Sequence, residues 1–126
     1  MARILIVDDE QPIRQILFDA LEIDKHEISE AATGKEAIEM VQQQQFDLLI
    51  TDLVMPEKNG IDLILEIRSK YPQMRVIAIS GGGGITGRFD YLPIAKLIGA
   101  GSILRKPFRL PEIRTMVNDV LAKNTV

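Results

Sequence analysis

Short apolar runs alternate along the chain with longer stretches whose apolar residues have helical spacing. Three runs are almost continuously apolar, namely Arg3–Val7, Phe46–Thr51 and Arg75–Ser80. Strands of a parallel sheet have this pattern because helices cover both of their faces. Two further runs, Glu27–Ala31 and Ser102–Arg105, are shorter or more mixed, which is typical of edge strands. The pattern therefore predicts five strands.

The first two helices are predicted from signals at their N-termini. Pro12 stands near the first helical position, where its missing amide proton costs nothing. The apolar positions that follow repeat at i, i+3, i+4, i+7 and i+8 and predict a buried face made of Ile13, Ile16, Leu17, Ala20 and Leu21. Thr33 and Glu36 have the spacing of a capping box. They predict a second helix whose inward residues are Ala37, Ile38 and Val41.

Three further helices follow in the second half of the chain. The third is predicted from Gly60 to Lys70, because the residue before Pro72 disfavours helical geometry. Its apolar stripe is formed by Ile61, Ile64 and Leu65. The fourth is predicted to be short, from Tyr91 to Ile98, with a proline in its first turn. The fifth begins at Pro111, and its inner face consists of Ile113, Val117, Val120 and Leu121.

Strands and helices thus alternate as (βα)5, which predicts an α/β fold with a doubly wound parallel five-stranded sheet. Among the common strand orders, 2-1-3-4-5 places the two mixed strands at the edges. The chain has 126 residues, the length of one ordinary domain. We therefore predict a single domain over residues 1–126.

The composition restricts the environment and the partners of the protein. Hydrophobic residues make up 46% of the chain and charged residues 26%, as in water-soluble globular proteins. No stretch approaches the roughly 20 apolar residues of a membrane span, and the first apolar run is too short for a signal peptide. We therefore expect a cytoplasmic protein without membrane contact. A net charge of −3 gives no general attraction to nucleic acid, and the lack of cysteine excludes thiolate chemistry.

Polar residues stand where the predicted strands end. Asp8 and Asp9 follow the first strand, Asp52 follows the third, Ser80 ends the fourth and Lys106 follows the fifth. Doubly wound sheets bind ligands beyond the carboxyl ends of their strands, so these side chains are expected to meet at one site. Each aspartate alone would be better explained as a turn former or a helix cap. The five residues together favour a functional site.

Carboxylates that share a site cannot all stay ionised without compensating positive charge. Lys106 supplies one charge, and a divalent cation would balance the other two. Oxygen ligands without histidine or cysteine favour a hard ion such as Mg²⁺. A metal, a lysine and a hydroxyl group suit phosphoryl transfer, with Asp52 as a candidate nucleophile.

Several motifs in this order resemble one family. The segment Ile4–Glu10 ends in three acidic residues, and residues 52–56 read Asp-Leu-Val-Met-Pro, with Gly60 close behind. Ser80 precedes a glycine, and residues 106–108 read Lys-Pro-Phe. Over essentially the whole chain, this spacing resembles the receiver domain of response regulators, the chemotaxis-regulator-like family of two-component systems. The fold implied by the resemblance is flavodoxin-like.

The resemblance implies a ligand set for Mg²⁺. By analogy with the family, Asp9, Asp52 and the backbone carbonyl of Val54 bind the ion directly. Asp8 assists through a water molecule, and Lys106 contacts the phosphoryl group. Asp52 is the implied phosphoacceptor.

Ser80 and the neighbourhood of the lysine are implied to form the switch. In the family, the hydroxyl residue moves toward the phosphoryl oxygen after transfer, and the Lys106-Pro107 peptide bond is expected to be cis. An aromatic residue usually stands three positions before the lysine, but this chain has Ile103 there. We therefore expect weaker coupling between phosphorylation and the outer surface.

The function implied by the resemblance is that of a receiver in a phosphorelay. The phosphoryl group would come from a sensor histidine kinase or a phosphotransfer protein. The signal would leave through the face of the predicted fourth helix, fifth strand and fifth helix, toward a downstream target protein or output domain, or toward a second copy in a homodimer. Such a protein catalyses only its own phosphorylation and dephosphorylation, so we do not expect an enzyme with external turnover.

The glycine-rich segment Gly81–Gly87 gives an alternative interpretation. Its glycines match the spacing G-x-G-x-x-G directly after a strand, which is a weak sign of a dinucleotide-binding domain. Pro93 and the strand Ser102–Arg105 occupy the stretch in which a helix and an acidic strand end would be needed. Four consecutive glycines give this segment high chain entropy, so we expect a disordered loop, longer than is usual in the family.

Two other classes are weighed against the receiver. A phosphohydrolase with an aspartate nucleophile would need a second aspartate two positions after the first, where Val54 stands. A degenerate receiver that serves as a protein-interaction scaffold would not need an intact acidic pocket. His26 is the single histidine and is predicted to be a surface residue rather than a phosphodonor or a metal ligand.

Overall fold

The computed structural model describes residues 2–53, 55, 59–80 and 99–123. Five parallel strands form one sheet in the order β2-β1-β3-β4-β5, as the sequence predicts. The elements, in chain order, are β1 (Arg3–Val7), α1 (Gln11–Ile23), β2 (Glu27–Ala31), α2 (Gly34–Gln43), β3 (Leu48–Asp52), α3 (Gly60–Lys70), β4 (Arg75–Ser80), β5 (Ser102–Arg105) and the C-terminal helix (Leu110–Ala122). No helix in this described part of the chain is long and apolar enough to cross a membrane.

Four strands begin and end where the sequence predicts, and the third is displaced. The predicted strand Phe46–Thr51 is observed as Leu48–Asp52. Asp47 precedes the strand but is still bonded to the start of β1. Its backbone amide donates to the Arg3 carbonyl, and its carboxylate accepts from the Arg3 amide. At the other end, Asp52 is paired with Ile79 of β4. The prediction missed this because apolar character stops at Thr51 while the ladder runs one residue further.

The helices cover both faces of the sheet. Strand residues such as Leu5, Leu49 and Val76 pack toward α2 and α3. Their neighbours in sequence, such as Ile4 and Ile77, pack toward α1 and the C-terminal helix. This alternation explains why the central strands are apolar at nearly every position.

Two helix faces differ from the predicted ones. Ile16 was expected to be buried, but it is 37% exposed, and Leu65 is 47% exposed. In α3, Ile64 is buried as predicted, and Leu63 and Ile67 are buried beside it in place of Leu65. Gly60 packs closely against the end of β3, so the residues three, four and seven positions later on the same helix face are turned toward the core. The apolar pattern alone does not reveal this contact.

The starts of the helices follow the predicted signals. Thr33 caps α2, since its hydroxyl accepts a hydrogen bond of 3.1 Å from the Glu36 amide. Proline stands in the first turn of α1 and of the C-terminal helix. The predicted loop Gly81–Gly87 and the predicted helix Tyr91 to Ile98 lie outside the described residues.

Candidate functional site

Three aspartates meet at the carboxyl end of the sheet. Asp8 and Asp9 directly follow β1, and Asp52 is the last residue of the adjacent β3. Each offers a carboxylate oxygen, and these oxygens all lie within 4.8 Å of one another. Asp8 is fully buried and Asp52 is 6% exposed, whereas Asp9 is exposed to solvent. The structure thus brings together the acidic residues that the sequence predicts.

The two carboxylate oxygens of Asp8 have different surroundings. Its Oδ1 accepts a hydrogen bond of 2.8 Å from the Glu10 amide. Its Oδ2 is buried and has no hydrogen-bond donor among the residues that the structure describes, although the Lys106 ammonium lies 3.3 Å away. Burial raises the pKa of Asp8, and this effect outweighs the Glu10 amide and the Lys106 charge, which lower the pKa.

Lys106 extends into the acidic cluster from the end of β5. Its Nζ lies 3.8 Å from Asp52 Oδ1 and 3.5 Å from Glu10 Oε2. Its backbone amide donates to the Ser80 carbonyl at 2.7 Å, which fixes the residue beside β4. Burial lowers the pKa of Lys106, but the carboxylates of Asp52, Asp8 and Glu10 raise it by more, so the net shift is upward. The ammonium form is therefore stabilised in the pocket.

The surroundings of Asp52 strongly shift its protonation equilibrium. Burial and the Asp8 carboxylate raise its pKa to about 7, against the opposing effect of Lys106. Its backbone is held by Thr51, whose buried hydroxyl donates to the Asp52 carbonyl at 2.9 Å. A carboxylate that is costly to ionise in isolation is well placed to gain from an added cation.

Gly60 packs directly against the backbone of Asp52 and Leu53. A Cβ atom built on Gly60 would lie 2.0 Å from the Asp52 carbonyl oxygen and 2.7 Å from the Leu53 Cα. The Gly60 amide donates to the Leu53 carbonyl at 3.0 Å, so the first turn of α3 packs directly against the end of β3. Only glycine permits this approach.

The remaining predicted residues have different outcomes. Ser80 is buried at the end of β4, beside the strand that carries Asp52. The Lys106-Pro107 peptide bond is cis, as predicted. Val54, the predicted source of a backbone ligand, lies outside the described residues. Ile103 is partly buried and packs against the core that faces α2 and α3.

Glu10 and His26 correct the sequence analysis. Glu10 was not predicted as a site residue, although its carboxylate contacts Lys106. Its position directly after the acidic pair was the available signal. His26 was predicted to be a surface residue, but it is partly buried, and its Nδ1 accepts a hydrogen bond of 3.1 Å from the Ala2 amide. This contact connects the start of β1 to the start of β2.

The donor set fits a hard divalent cation. All three clustered ligands are carboxylate oxygens, the type that Mg²⁺ and Ca²⁺ prefer. The buried Asp8 Oδ2, for which no donor is found in the described part of the chain, is an oxygen that a metal-bound water could satisfy. The acidic cluster could therefore hold a metal ion.

Comparison with known proteins identifies the family. The family model described as "Response regulator receiver domain" matches residues 4–118. The response regulator receiver protein CpdR of Brucella abortus is 32% identical over 120 residues, which cover 95% of this chain and 94% of CpdR. The transcriptional regulator NtrC of Azospirillum brasilense is 35% identical, but its match covers 98% of this chain and only 25% of NtrC.

Solved structures show the same likeness. The chemotaxis response regulator CheY4 of Vibrio cholerae superposes with a TM-score of 0.83 at 29% identity, over 95% of this chain and 98% of CheY4. The receiver domain of NtrX from Brucella abortus has a TM-score of 0.86 at 27% identity, over 96% of this chain and 99% of that domain. The chain therefore belongs to the receiver domain family of two-component response regulators.

Proposed function

We propose that Asp52 accepts a phosphoryl group in a Mg²⁺-dependent reaction. The observation that carries the proposal is the placement of a buried carboxylate at the end of a central strand, with two further carboxylates and an ammonium around it. Such a group combines a nucleophilic oxygen with the charges that a transferring phosphoryl group needs. The family membership supports the same interpretation.

The proposed reaction begins with a phosphohistidine of a sensor histidine kinase or a phosphotransfer protein. A carboxylate oxygen of Asp52 forms a bond to phosphorus while the phosphorus–nitrogen bond of the donor breaks. The leaving imidazole nitrogen keeps the electron pair and takes a proton from solvent. Lys106, 3.8 Å from Asp52 Oδ1, offsets negative charge on the phosphoryl oxygens. Ser80, at the end of the neighbouring strand, is proposed to bind a phosphoryl oxygen after the transfer.

The proposed metal ligands combine the observed cluster with the family pattern. Asp9 and Asp52 would hold Mg²⁺ directly together with the Val54 carbonyl, and Asp8 would bind through water. When bound, the ion supplies positive charge that neutralises the phosphoryl oxygens and lowers the pKa of Asp52. The rigid Asp8 carboxylate and the Lys106 ammonium define the geometry that this chain contributes.

The residues of the same site favour chemistry on the protein itself. We propose that the domain catalyses its own phosphorylation and slow dephosphorylation, without turnover of an external substrate. Position 54 is valine, so the second aspartate of aspartate-nucleophile phosphohydrolases is missing.

The proposed partners follow from the family and its relatives. The matched relatives include the sensor kinase CckA of Brucella abortus, of which this chain covers 13%, and the regulator NtrC, of which it covers 25%. We propose that this chain receives phosphate from a kinase or phosphotransfer protein and acts on a target protein or output domain. The face around β5 and the C-terminal helix would carry the signal, either to such a partner or into a homodimer.

The test is phosphorylation by acetyl phosphate, measured by intact mass with and without Mg²⁺. We expect one phosphoryl addition to the wild type that requires Mg²⁺ and is absent in Asp52→Asn. Asp119→Asn, an exposed change on the C-terminal helix, is the matched control and should be phosphorylated normally. Addition of equal extent in Asp52→Asn would contradict the assignment, and no addition to the wild type would favour a scaffold without phosphorylation.

A further inference from the structure

Arg14 of α1 connects the acidic site to the neighbouring edge strand. Its Nη1 donates a hydrogen bond of 2.6 Å to the backbone carbonyl of Asp8. Its Nε donates to Glu30 Oε1, the carboxylate of a β2 residue, at 3.1 Å. The Arg14 side chain is only 15% exposed, so its guanidinium is largely withdrawn from solvent. The side chain therefore bridges β2 and the end of β1.

This bridge is one of the contacts that hold the turn carrying the acidic pair. The carbonyl fixed by Arg14 belongs to the peptide between Asp8 and Asp9, so its direction determines where the Asp9 side chain points. Another contact within the turn is the hydrogen bond from the Glu10 amide to Asp8 Oδ1. Asp9 is exposed, which leaves the backbone as the main means of positioning its carboxylate.

We propose that Arg14 is a positioning residue that orients the Asp8–Glu10 turn for cation binding. The proposal rests on the proposed function in taking Mg²⁺ as the ligand. Arg14 acts through the Asp8 carbonyl and does not touch the cation or the phosphoryl group. Glu30 holds the same guanidinium in place, because it accepts a hydrogen bond from Arg14 Nε while Nη1 donates to the Asp8 carbonyl. Groups that orient metal ligands in this way affect affinity without binding the metal.

A simple surface ion pair would have a different character, and the chain contains one for comparison. Arg3 Nε lies 2.9 Å from Glu27 Oε2 on the same two strands, at the opposite end of the sheet. The side chains of that pair are 51% and 54% exposed. Such exposed pairs have little effect on stability. This pair lies at the start of β1 and β2, whereas the acidic site lies at their ends. Arg3→Met is therefore the matched control for Arg14→Met.

The experiment is an NMR titration of the metal-free, ¹⁵N-labelled protein with MgCl2, which yields a Kd for each variant. Thermal denaturation first establishes that every variant is folded. We expect Arg14→Met to bind Mg²⁺ about tenfold more weakly than the wild type, the lower end of the range for orienting groups. Arg3→Met should retain the wild-type Kd. An unchanged Kd in folded Arg14→Met would overturn the proposal.

Two further measurements separate positioning from charge and from general stability. Arg14→Lys keeps the charge but cannot bridge both partners, so it should also weaken binding; wild-type affinity in this variant would contradict the positioning role. In the metal-free protein, hydrogen exchange at the Glu10 amide should accelerate in Arg14→Met and not in Arg3→Met. Unchanged exchange would count against the proposal. A wild-type protein that binds no Mg²⁺ would refute the proposed function, and this inference with it.

Discussion

At the scale of single residues, Asp52 combines burial with repulsion from a neighbouring carboxylate. A raised pKa means that the folded protein binds the proton more tightly than the unfolded chain does. The stability that this proton contributes is fully present below the ordinary aspartate pKa. It is lost as the pH rises through about 7. The metal-free site therefore destabilises the fold near neutral pH.

This sign predicts the effect of removing the charge. In EDTA at pH 8, Asp52→Asn should increase the free energy of unfolding by about 4 kcal/mol, since the pKa of Asp52 is raised from 3.8 to about 7 and one pKa unit corresponds to roughly 1.4 kcal/mol. The gain should be much smaller at pH 4, close to the ordinary aspartate pKa, and should vanish at lower pH, where the wild-type carboxyl group is protonated in both states. Urea denaturation at pH 4, 6 and 8 measures it. A difference that is the same at every pH would show that packing, rather than ionisation, is responsible.

At the scale of elements, the junction between β3 and α3 determines where Asp52 lies. The first turn of α3 contacts the last residue of β3 so closely that no side chain fits between them. This contact also explains why α3 buries Leu63 and Ile67 while Leu65 faces solvent. The site and the helix face are thus set by one close approach.

Enlarging the glycine at this junction should separate the two elements. We expect Gly60→Ala to lower the free energy of unfolding by about 1–3 kcal/mol, the usual cost of overpacking, and to slow phosphorylation by acetyl phosphate. Gly101→Ala is the matched control, because its nearest contact would be the Val76 carbonyl oxygen at 3.7 Å. Chemical denaturation and intact mass measure the two effects. Equal stability of the two variants would mean that the backbone yields at Gly60 without cost.

At the scale of the whole molecule, Ile103 of β5 belongs to the region through which we propose that the acidic site is coupled to the outer surface. This isoleucine is partly buried against the core under α2 and α3, where the family pattern has an aromatic ring. An isoleucine cannot present the same ring to a partner. Coupling across the domain should therefore be a small shift between two surface states.

A phosphoryl mimic tests this coupling. We expect beryllofluoride with Mg²⁺ to change the NMR spectrum near Asp52 but to cause little self-association of the wild type. Ile103→Tyr should extend the spectral changes to β5 and the C-terminal helix. Light scattering and ¹⁵N spectra provide the measurement. Strong beryllofluoride-dependent association of the wild type would show that the signal takes a route independent of this position.

Much of the architecture could be predicted from the sequence because burial leaves a direct pattern. Two nearly continuous apolar runs and two mixed runs predicted four strands with their observed ends, and the position of Thr33 predicted the start of α2. The third strand was displaced because its last paired residue is Asp52, a polar residue that serves the site. A polar residue of the acidic cluster thus interrupts the apolar pattern at this strand end.

The sequence by itself determined the order of elements, the family and the identity of the acidic cluster, since these depend on local periodicity and on motif spacing. Only the tertiary structure decided the positions of Glu10 and Arg14 around that cluster, because their partners are Lys106, the Asp8 carbonyl and Glu30. Contacts between residues far apart in the chain leave no periodic signal. Likewise, the raised pKa of Asp52 exists only when folding removes water and brings Asp8 beside it.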